Sequence, residues 1–230
     1  MQISQLDIEK VQAILFDLDG TLYDLKAMQK IMRKKILFHL LTKPWKWKEI
    51  LIVYYFRKDR KDAAGAYVPD LKITQYRWLQ RRFDLSLKNL ESIIEKWMYE
   101  LPAKQLADLA FPNLYSFLDV LKAKAIPFGI HSDLQIGKKL ECLNIQPDCQ
   151  SDATDADINS LKPHPGGIFA FAKKLEIKEE NILVLGDKEK LDGRMAREGG
   201  SLFVHIQNHR ANQQYQMLTD LFEQKVDPEK

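Results

Sequence analysis

The sequence predicts an α/β protein: a doubly wound parallel sheet joined to a smaller all-helical domain. After Pro112, short apolar segments alternate with segments of helical periodicity, which is typical of a parallel sheet covered by helices on both faces. Residues 24–109 instead keep a helical spacing of apolar side chains and contain no convincing strand. We therefore expect one domain from residues 1–23 and 110–230, and a helical insertion, the cap, from residues 24–109.

The predicted elements are delimited by residues that start or stop regular structure. Pro44 separates the first two cap helices, and Asp84-Leu85-Ser86 is typical of a helix start. Gly199-Gly200 ends the penultimate helix. Strands are expected at residues 11–16, 126–131, 149–151, 182–185 and 202–206. Helices are expected at residues 25–41, 46–58, 73–83, 87–100, 114–124, 135–143, 168–175, 191–198 and 212–223.

Composition excludes several classes of protein. Of the 230 residues 45% are hydrophobic and 29% are charged, which suits a folded core with an inserted domain rather than a disordered or fibrous chain. Cys142 and Cys149 are the two cysteines, so neither a disulfide framework nor a CxxC metal motif is indicated. No apolar run approaches the roughly 18 residues of a membrane span, and residues 1–10 lack the apolar core of a secretory signal. We expect a cytoplasmic protein.

Positive charge is concentrated in the cap. The net charge is +3, yet residues 24–109 hold 19 basic and 10 acidic side chains, together with all four tryptophans. Apolar, aromatic and basic residues mix most densely in residues 36–61. Three interpretations are open: peripheral contact with an anionic membrane, burial of the apolar side chains against other cap helices, or attraction of anionic substrates. No nucleic-acid-binding signature is present, so no nucleic-acid partner is expected.

Polar side chains lie at the carboxyl ends of three predicted strands. Asp17 and Asp19 follow the first strand, and Ser132 ends the second. Asp187 follows a later strand, with Asp192 five residues beyond it. Ligands of doubly wound sheets bind at this edge, so we expect these groups to converge. Carboxylates this close would repel one another without a cation, and a hard divalent ion with oxygen ligands, Mg²⁺, fits them.

These side chains have the chemistry that phosphoryl transfer needs. A carboxylate can attack phosphorus to form an aspartyl-phosphate, while a second carboxylate protonates the leaving oxygen and later activates water. Lys162 lies in a loop that leads into a helix, and with the Ser132 hydroxyl it would hold the oxygens of the transferred group. The sequence therefore predicts a phosphoryl-transfer site at the carboxyl edge of the sheet.

Four motifs, in order along the chain, resemble those of the haloacid dehalogenase (HAD) superfamily of hydrolases. Asp17-Leu18-Asp19-Gly20-Thr21 resembles the first motif, and Phe128–Ser132, an apolar strand ending in serine, resembles the second. Lys162-Pro163 resembles the third, and Gly186-Asp187 followed by Asp192 resembles the fourth. The resemblance implies a Rossmann-like HAD core with a helical cap inserted after the first motif. It is strong over the core and weak over residues 24–109.

The resemblance also implies a role for each matching residue. Asp17 would be the nucleophile and a metal ligand, and Asp19 the general acid/base, whose backbone carbonyl is offered to the metal. Asp187 would complete the Mg²⁺ site and Asp192 would support it, unless Glu189, in the charged run after Asp187, takes that place. The residues that bind the phosphoryl group would be Thr21, which also orients the loop, Ser132 and Lys162.

The second aspartate separates the activities of this superfamily. Dehalogenases lack it because a leaving halide needs no proton, so Asp19 favours a phosphatase that acts on a small phosphorylated metabolite. Phosphomutases keep it, so a phosphomutase is one alternative, and a catalytically silent binding module with the same fold is another. Asp133, directly after Ser132, is interpreted as a solvated residue of a turn or a helix N-cap, rather than as a site residue.

Overall fold

The predicted parallel sheet is present. The computed structural model describes residues 3–225, and its strands are β1 Ala13–Phe16, β2 Phe128–Ser132, β3 Cys149–Asp152, β4 Ile182–Gly186 and β5 Leu202–His205. They lie in the order β3-β2-β1-β4-β5, and every neighbouring pair is parallel. Parallel neighbours require crossover connections, and the crossovers here are helices that cover both faces of the sheet.

Apart from an isolated bridge at Tyr67, all regular secondary structure between residues 24 and 109 is helical, as predicted. Two segments predicted as continuous helix instead contain a wide π-helical turn, at Glu95–Glu100 and at Glu189–Gly193. The limits of the two domains themselves stay a prediction. The cap helices are α1 Leu25–Thr42, α2 Trp47–Asp62, α3 Leu71–Gln80, α4 Leu87–Ile94 and the single turn α5 Leu101–Ala103. The core helices are α6 Pro112–Ala123, α7 Gly137–Leu143, α8 Gly166–Leu175, α9 Arg194–Glu198 and α10 Ala211–Glu223.

Alternate residues of β1 pack into opposite layers. Ile14 and Phe16 belong to a large apolar cluster that includes Phe117 of α6 and Tyr215 of α10. Leu15 belongs to a second cluster, which contains buried residues of α8 and α9. Because both faces are covered, β1 reads as a continuous apolar run rather than as an alternation of apolar and polar residues.

The cap has an apolar core of its own. Ile52 and Phe56 of α2 pack with buried side chains of α3 and α4 in a cluster separate from those of the sheet. The first cap helix starts at Asp24, whose side chain accepts a hydrogen bond from the Ala27 amide (2.9 Å). Pro44 follows its end, because proline cannot continue the hydrogen-bond pattern of a helix.

The cap is hydrogen-bonded to the core loop that leads to Lys162. The Val68 amide donates to the Asn159 carbonyl (2.7 Å), and the Gly65 amide donates to the Leu161 carbonyl (3.1 Å). The position of Lys162 therefore depends on the cap as well as on the core.

The interpretation that residues 36–61 bury their apolar side chains against other cap helices is wrong for the junction of α1 and α2. Only one face of α1 has neighbours: its buried residue is Met28, and the face opposite carries apolar residues that remain in solvent. Within the described residues, no helix is both long enough and apolar enough to cross a membrane. The exposed apolar side chains of the junction are Leu37, Phe38, Leu41, Trp45 and Trp47.

Candidate active site

Asp17 lies at the carboxyl edge of the sheet, between the ends of β2 and β4. Phe16 is paired with Leu185, and the Asp17 amide extends the ladder by donating to the Leu185 carbonyl (2.8 Å). Ser132 is the last residue of β2, which pairs with β1 on its other side. The structure thus brings the residues that follow different strands to one edge, the usual place for ligands in this type of sheet.

Lys162 joins two carboxylates of this site. Its Nζ lies 2.6 Å from Asp17 Oδ1 and 2.8 Å from Asp192 Oδ1, and all three side chains are buried. Burial disfavours the ammonium, but the charges of Asp17 and Asp192 outweigh it and raise the pKa of Lys162. Burial also raises the pKa of Asp17 to about 7, against the opposing effect of Lys162. Lys162 is therefore a fixed cation beside the expected nucleophile.

Asp17, Asp187 and Asp192 form an acidic cluster in which one carboxylate oxygen of each lies within 4.8 Å of the others. Asp187 Oδ1 is buried and has no hydrogen-bond partner among the described residues; the Lys188 ammonium lies 3.4 Å away, at ion-pair distance. Burial raises the pKa of Asp187, as expected for a carboxylate without enough partners. A buried carboxylate oxygen that lacks a hydrogen bond, next to two other carboxylates, is a fitting ligand for a hard divalent cation such as Mg²⁺.

Close backbone approach determines which acids enter the cluster. Gly20 has φ +99°, and a Cβ at that position would lie 2.4 Å from Asp187 Oδ2. A Cβ at Gly186 would lie 2.4 Å from the Cβ of Asp192. Glu189, the alternative to Asp192, is exposed and forms an ion pair with Arg197. The structure therefore places Asp192, and not Glu189, beside Asp17 and Asp187.

The side chain of Asp19 is held outside the acidic cluster, by Lys139 and Tyr23. Both the Lys139 ammonium and the Tyr23 hydroxyl donate to Asp19 Oδ1. Burial acts to raise the pKa of Asp19, but the charge of Lys139 and the two hydrogen bonds outweigh it, so that this pKa is lowered. The pKa of Tyr23 is raised by burial and by Asp19, which keeps Tyr23 a neutral donor. Asp19 is thus oriented and ionised before substrate arrives.

Lys139, like Tyr23, is a site residue that sequence reasoning missed. It lies on α7 and is only 3% exposed, on the same face as Ile136, Leu140 and Leu143, which are all buried. A lysine at an apolar position of an amphipathic helix would be the signal, because a lysine is almost never buried without a partner. Its partner, Asp19, is 120 residues away in sequence.

Two hydroxyl residues, Thr21 and Ser132, support the loops of the site. Thr21 is fully buried, and its Oγ1 donates to Asp17 Oδ2 (3.2 Å), while its carbonyl accepts a hydrogen bond from the Tyr215 hydroxyl (2.8 Å). Ser132 Oγ accepts from the Leu134 amide (3.2 Å) in the turn after β2. Thr21 therefore orients the expected nucleophile, and contact of either hydroxyl with a phosphoryl group stays a prediction.

Asp133 is not a solvated turn residue, which corrects the sequence-based interpretation. Its Oδ1 accepts a hydrogen bond from the Lys162 amide (2.9 Å), and burial raises its pKa. Its carbonyl accepts a hydrogen bond from the buried Arg60 of α2, which also donates to Gln75. Asp133 therefore connects the cap to the loop that carries Lys162.

Comparison with known proteins identifies the family. A family model for haloacid dehalogenase-like hydrolases matches residues 11–200. A 2-haloacid dehalogenase from Pseudomonas syringae pv. tomato DC3000 has a similar structure at 14% identity and a TM-score of 0.60; the match covers 92% of this chain and 99% of that one. No curated protein matches the sequence.

Enzymes with other activities share the architecture. A β-phosphoglucomutase from Clostridium difficile is similar at 17% identity and a TM-score of 0.57, with 94% of this chain and 100% of that one covered. A HAD phosphatase from Thermococcus onnurineus is similar at 21% identity and a TM-score of 0.53, with 85% and 86% covered. At such identities the likeness shows the fold alone. Since the family model spans most of the sequence, the chain belongs to the haloacid dehalogenase-like hydrolases.

Proposed function

We propose that this hydrolase is a Mg²⁺-dependent phosphatase, which cleaves the phosphate monoester of a small metabolite through an aspartyl-phosphate on Asp17. The observation that carries the proposal is the second carboxylate, Asp19, which is held in place by Lys139 and Tyr23. Expulsion of an alkoxide needs a proton donor, whereas expulsion of a halide needs none. A carboxyl group held at this position supports phosphoryl chemistry.

In the first step the Asp17 carboxylate attacks phosphorus, forming an O–P bond while the bond from phosphorus to the ester oxygen breaks. Asp19, which is ionised in the free protein, takes up a proton from solvent when the substrate binds and gives it to the leaving oxygen, so that an alcohol departs. Lys162, already 2.6 Å from Asp17 Oδ1, lies where it can neutralise a phosphoryl oxygen. Thr21 keeps the Asp17 side chain in its orientation through the hydrogen bond to Oδ2.

In the second step Asp19, now a carboxylate, takes a proton from water as the water oxygen attacks phosphorus. The bond between phosphorus and Asp17 breaks, inorganic phosphate leaves, and the Asp17 carboxylate is restored. Lys139 and Tyr23 favour the ionised form of Asp19, so they assist this step directly. The same contacts must yield when Asp19 acts as the acid.

Asp17 and Asp187 would hold Mg²⁺, with the Asp19 carbonyl as a further ligand and Asp192 in support. When bound, the ion would offset the negative charge of the carboxylates and of the phosphoryl oxygens. The buried Asp187 Oδ1, which lacks a hydrogen bond, supports this assignment.

The test is phosphate release from a panel of phosphorylated metabolites, with Mg²⁺ and with EDTA. We expect turnover that EDTA abolishes and that Asp17→Asn lowers more than about a thousandfold. Asp108→Asn is the matched control, because Asp108 is an exposed aspartate of the cap and its substitution should leave turnover unchanged. Equal turnover by the wild type and Asp17→Asn would contradict the proposal.

The same panel separates the alternatives. Halide release from 2-haloacids without phosphate release would identify a dehalogenase, and isomerisation of a sugar phosphate without phosphate release would identify a mutase. If Mg²⁺ binds and none of these substrates reacts, a catalytically silent module becomes the better description.

A further inference from the structure

The junction of α1 and α2 exposes an unusually large set of apolar side chains. Leu37, Phe38 and Leu41, on the last turns of α1, are 60%, 70% and 74% exposed, and Trp45 and Trp47, which follow, are 71% and 51% exposed. Isolated apolar side chains are normal on protein surfaces, but a contiguous group of this kind marks an interaction site. We refer to these five residues as the junction surface.

Basic residues flank the junction surface along the chain, and the first acidic residue after it is Glu49, which pairs with Lys46 (3.1 Å). From Leu25 to Lys48 the chain contains eight lysines and arginines and no aspartate or glutamate. On α1, Lys30 and Lys34 lie on the same helical face as Leu37 and Leu41, at intervals of three and four residues. Lys43, Lys46 and Lys48 alternate with the two tryptophans, and residues 41–48 are all exposed.

We propose that the junction surface docks on an anionic lipid bilayer, with its leucines and aromatic rings in the membrane interface and the flanking lysines at the head groups. Transfer of leucine and phenylalanine into hydrocarbon is favourable, and tryptophan is enriched at the membrane–water boundary. A lysine can bind an anionic head group while the methylene part of its side chain stays in the apolar layer. All three kinds of residue lie on the last turns of α1 and in the exposed turn that follows it.

Charge complementarity selects this occupant over two others. Glu49 pairs with Lys46, but Lys43 and Lys48 have no acidic partner among residues 3–225. A second copy of the chain would bring these like charges together, so self-association is opposed by repulsion. A nucleic acid would satisfy the lysines, but it would leave Leu37 and Leu41 without an apolar environment. An anionic bilayer satisfies both the charges and the apolar side chains.

Docking at this surface leaves the active site untouched. Helix α1 is 18 residues long, or about 27 Å, and it runs from Leu25, next to the first motif, to the junction. The surface is therefore at the far end of the helix from Asp17. Variants of the junction surface consequently test membrane binding without altering the residues of the acidic cluster.

The test is co-sedimentation of the purified full chain with vesicles of phosphatidylcholine alone and of phosphatidylcholine with phosphatidylserine, at low and at physiological salt. We expect binding to the anionic vesicles, weakened by salt, and little binding to the neutral ones. The double variant Lys43→Glu, Lys48→Glu should lower the partition coefficient about tenfold or more. The double variant Trp45→Ser, Trp47→Ser should lower it by a similar factor, although the charge is unchanged.

Two matched controls are available on the core. Lys122→Glu reverses an exposed charge on α6, and Phe169→Ser removes a 45% exposed aromatic residue on α8. Both should bind vesicles like the wild type, and thermal unfolding followed by circular dichroism checks that every variant is folded. Because Lys43, Trp45, Trp47 and Lys48 are all exposed, the four substitutions should leave the fold intact.

Three outcomes would overturn the proposal. One is an absence of anionic-vesicle binding by the folded wild type at low salt. Another is binding that the junction variants and the core controls lose equally. The third is occupation of the surface by something else: a dimer that depends on Trp45 and Trp47 without lipid, or an RNA oligonucleotide that binds where vesicles do not.

Discussion

Charged side chains are usually exposed and apolar ones buried. The edge of the sheet and the junction surface depart from this rule in opposite directions. At the sheet edge, the charged side chains of Asp17, Lys162 and Asp192 are at most 7% exposed, whereas Leu41 and Trp45 at the junction are 74% and 71% exposed. Buried charges are costly unless they are paired, and contiguous apolar surface is costly to leave in water. Proteins keep such costly arrangements mainly where a ligand meets them. The comparison therefore agrees with the two proposals, a phosphoryl group at the sheet edge and a lipid surface at the junction.

The largest effect should come from removing the cation of the sheet edge. Lys162→Met leaves Asp17 and Asp192 as buried carboxylates without their shared partner, so we expect a loss of about 3–5 kcal/mol in the free energy of unfolding, measured by urea in EDTA. Lys190→Met, at an exposed lysine, is the control and should cost little. A loss below about 1 kcal/mol for Lys162→Met would show that the buried charges do not depend on one another.

The next largest effect should separate two acids of the cluster. Asp187→Asn removes the carboxylate whose buried Oδ1 lacks a hydrogen bond, so the Mg²⁺ concentration for half-maximal activity should rise about ten- to a hundredfold. Asp192→Asn weakens a partner of Lys162, so it should lower the maximal rate more than it changes the Mg²⁺ requirement. Metal titration of phosphate release checks both. If Asp192→Asn shifts the titration further than Asp187→Asn, the two roles are exchanged.

A smaller effect should follow from removing a hydrogen-bond donor to the Asp19 carboxylate. Lys139→Met removes one of the two donors that orient this carboxylate, and we expect about a tenfold loss of kcat with an alkyl phosphate. An aryl phosphate should lose a similar factor, because Lys139 favours the ionised Asp19 that hydrolyses the aspartyl-phosphate, a step common to both substrates. Lys138→Met is the control, because Lys138 is the exposed neighbour and pairs with Glu95 instead. A loss confined to the alkyl phosphate would show that Lys139 serves protonation of the leaving group instead.

The smallest effect concerns the cap beside the junction surface, where Glu49 accepts hydrogen bonds from Lys96 and Trp97. Burial acts to raise the pKa of Glu49, but these bonds and the bond from Lys46 outweigh it, so that its pKa falls from 4.5 to about 2. Because the folded-state pKa is the lower one, this stabilisation is complete above pH 4.5 and is lost as the pH falls towards 2. Solvent screening limits it to about 1 kcal/mol.

Glu49→Gln should accordingly lower the free energy of unfolding by about 1 kcal/mol at pH 7 and by much less near pH 2. Chemical denaturation at a series of pH values measures the difference from the wild type. Glu91→Gln is the control, at an exposed glutamate of α4. A difference between Glu49→Gln and the wild type that stays constant down to pH 2 would contradict the assignment.

The order of elements was determined by the sequence itself, since buried strands and amphipathic helices differ in period. The continuous apolar run that became β1 and the helical spacing that became α1 were both recognised within two residues of their observed ends. The π-helical turns at Glu95–Glu100 and Glu189–Gly193 were not, because their sequence keeps an ordinary helical pattern. Spacing after the strands also identified the acids of the cluster, because the carboxyl ends of parallel strands share one edge.

Only the tertiary structure decided which partners these residues have. Asp19 and Lys139 meet across 120 residues of chain, and Asp133 holds the Lys162 amide across 29. The local sequence says that α1 is apolar on more than one face, but not which face the core will cover. Contacts between distant segments determine both pairing and exposure, and the periodicity of one segment holds no information about the segment that packs against it. For this reason the acids of the cluster were predicted, whereas Lys139 and the junction surface were found in the fold.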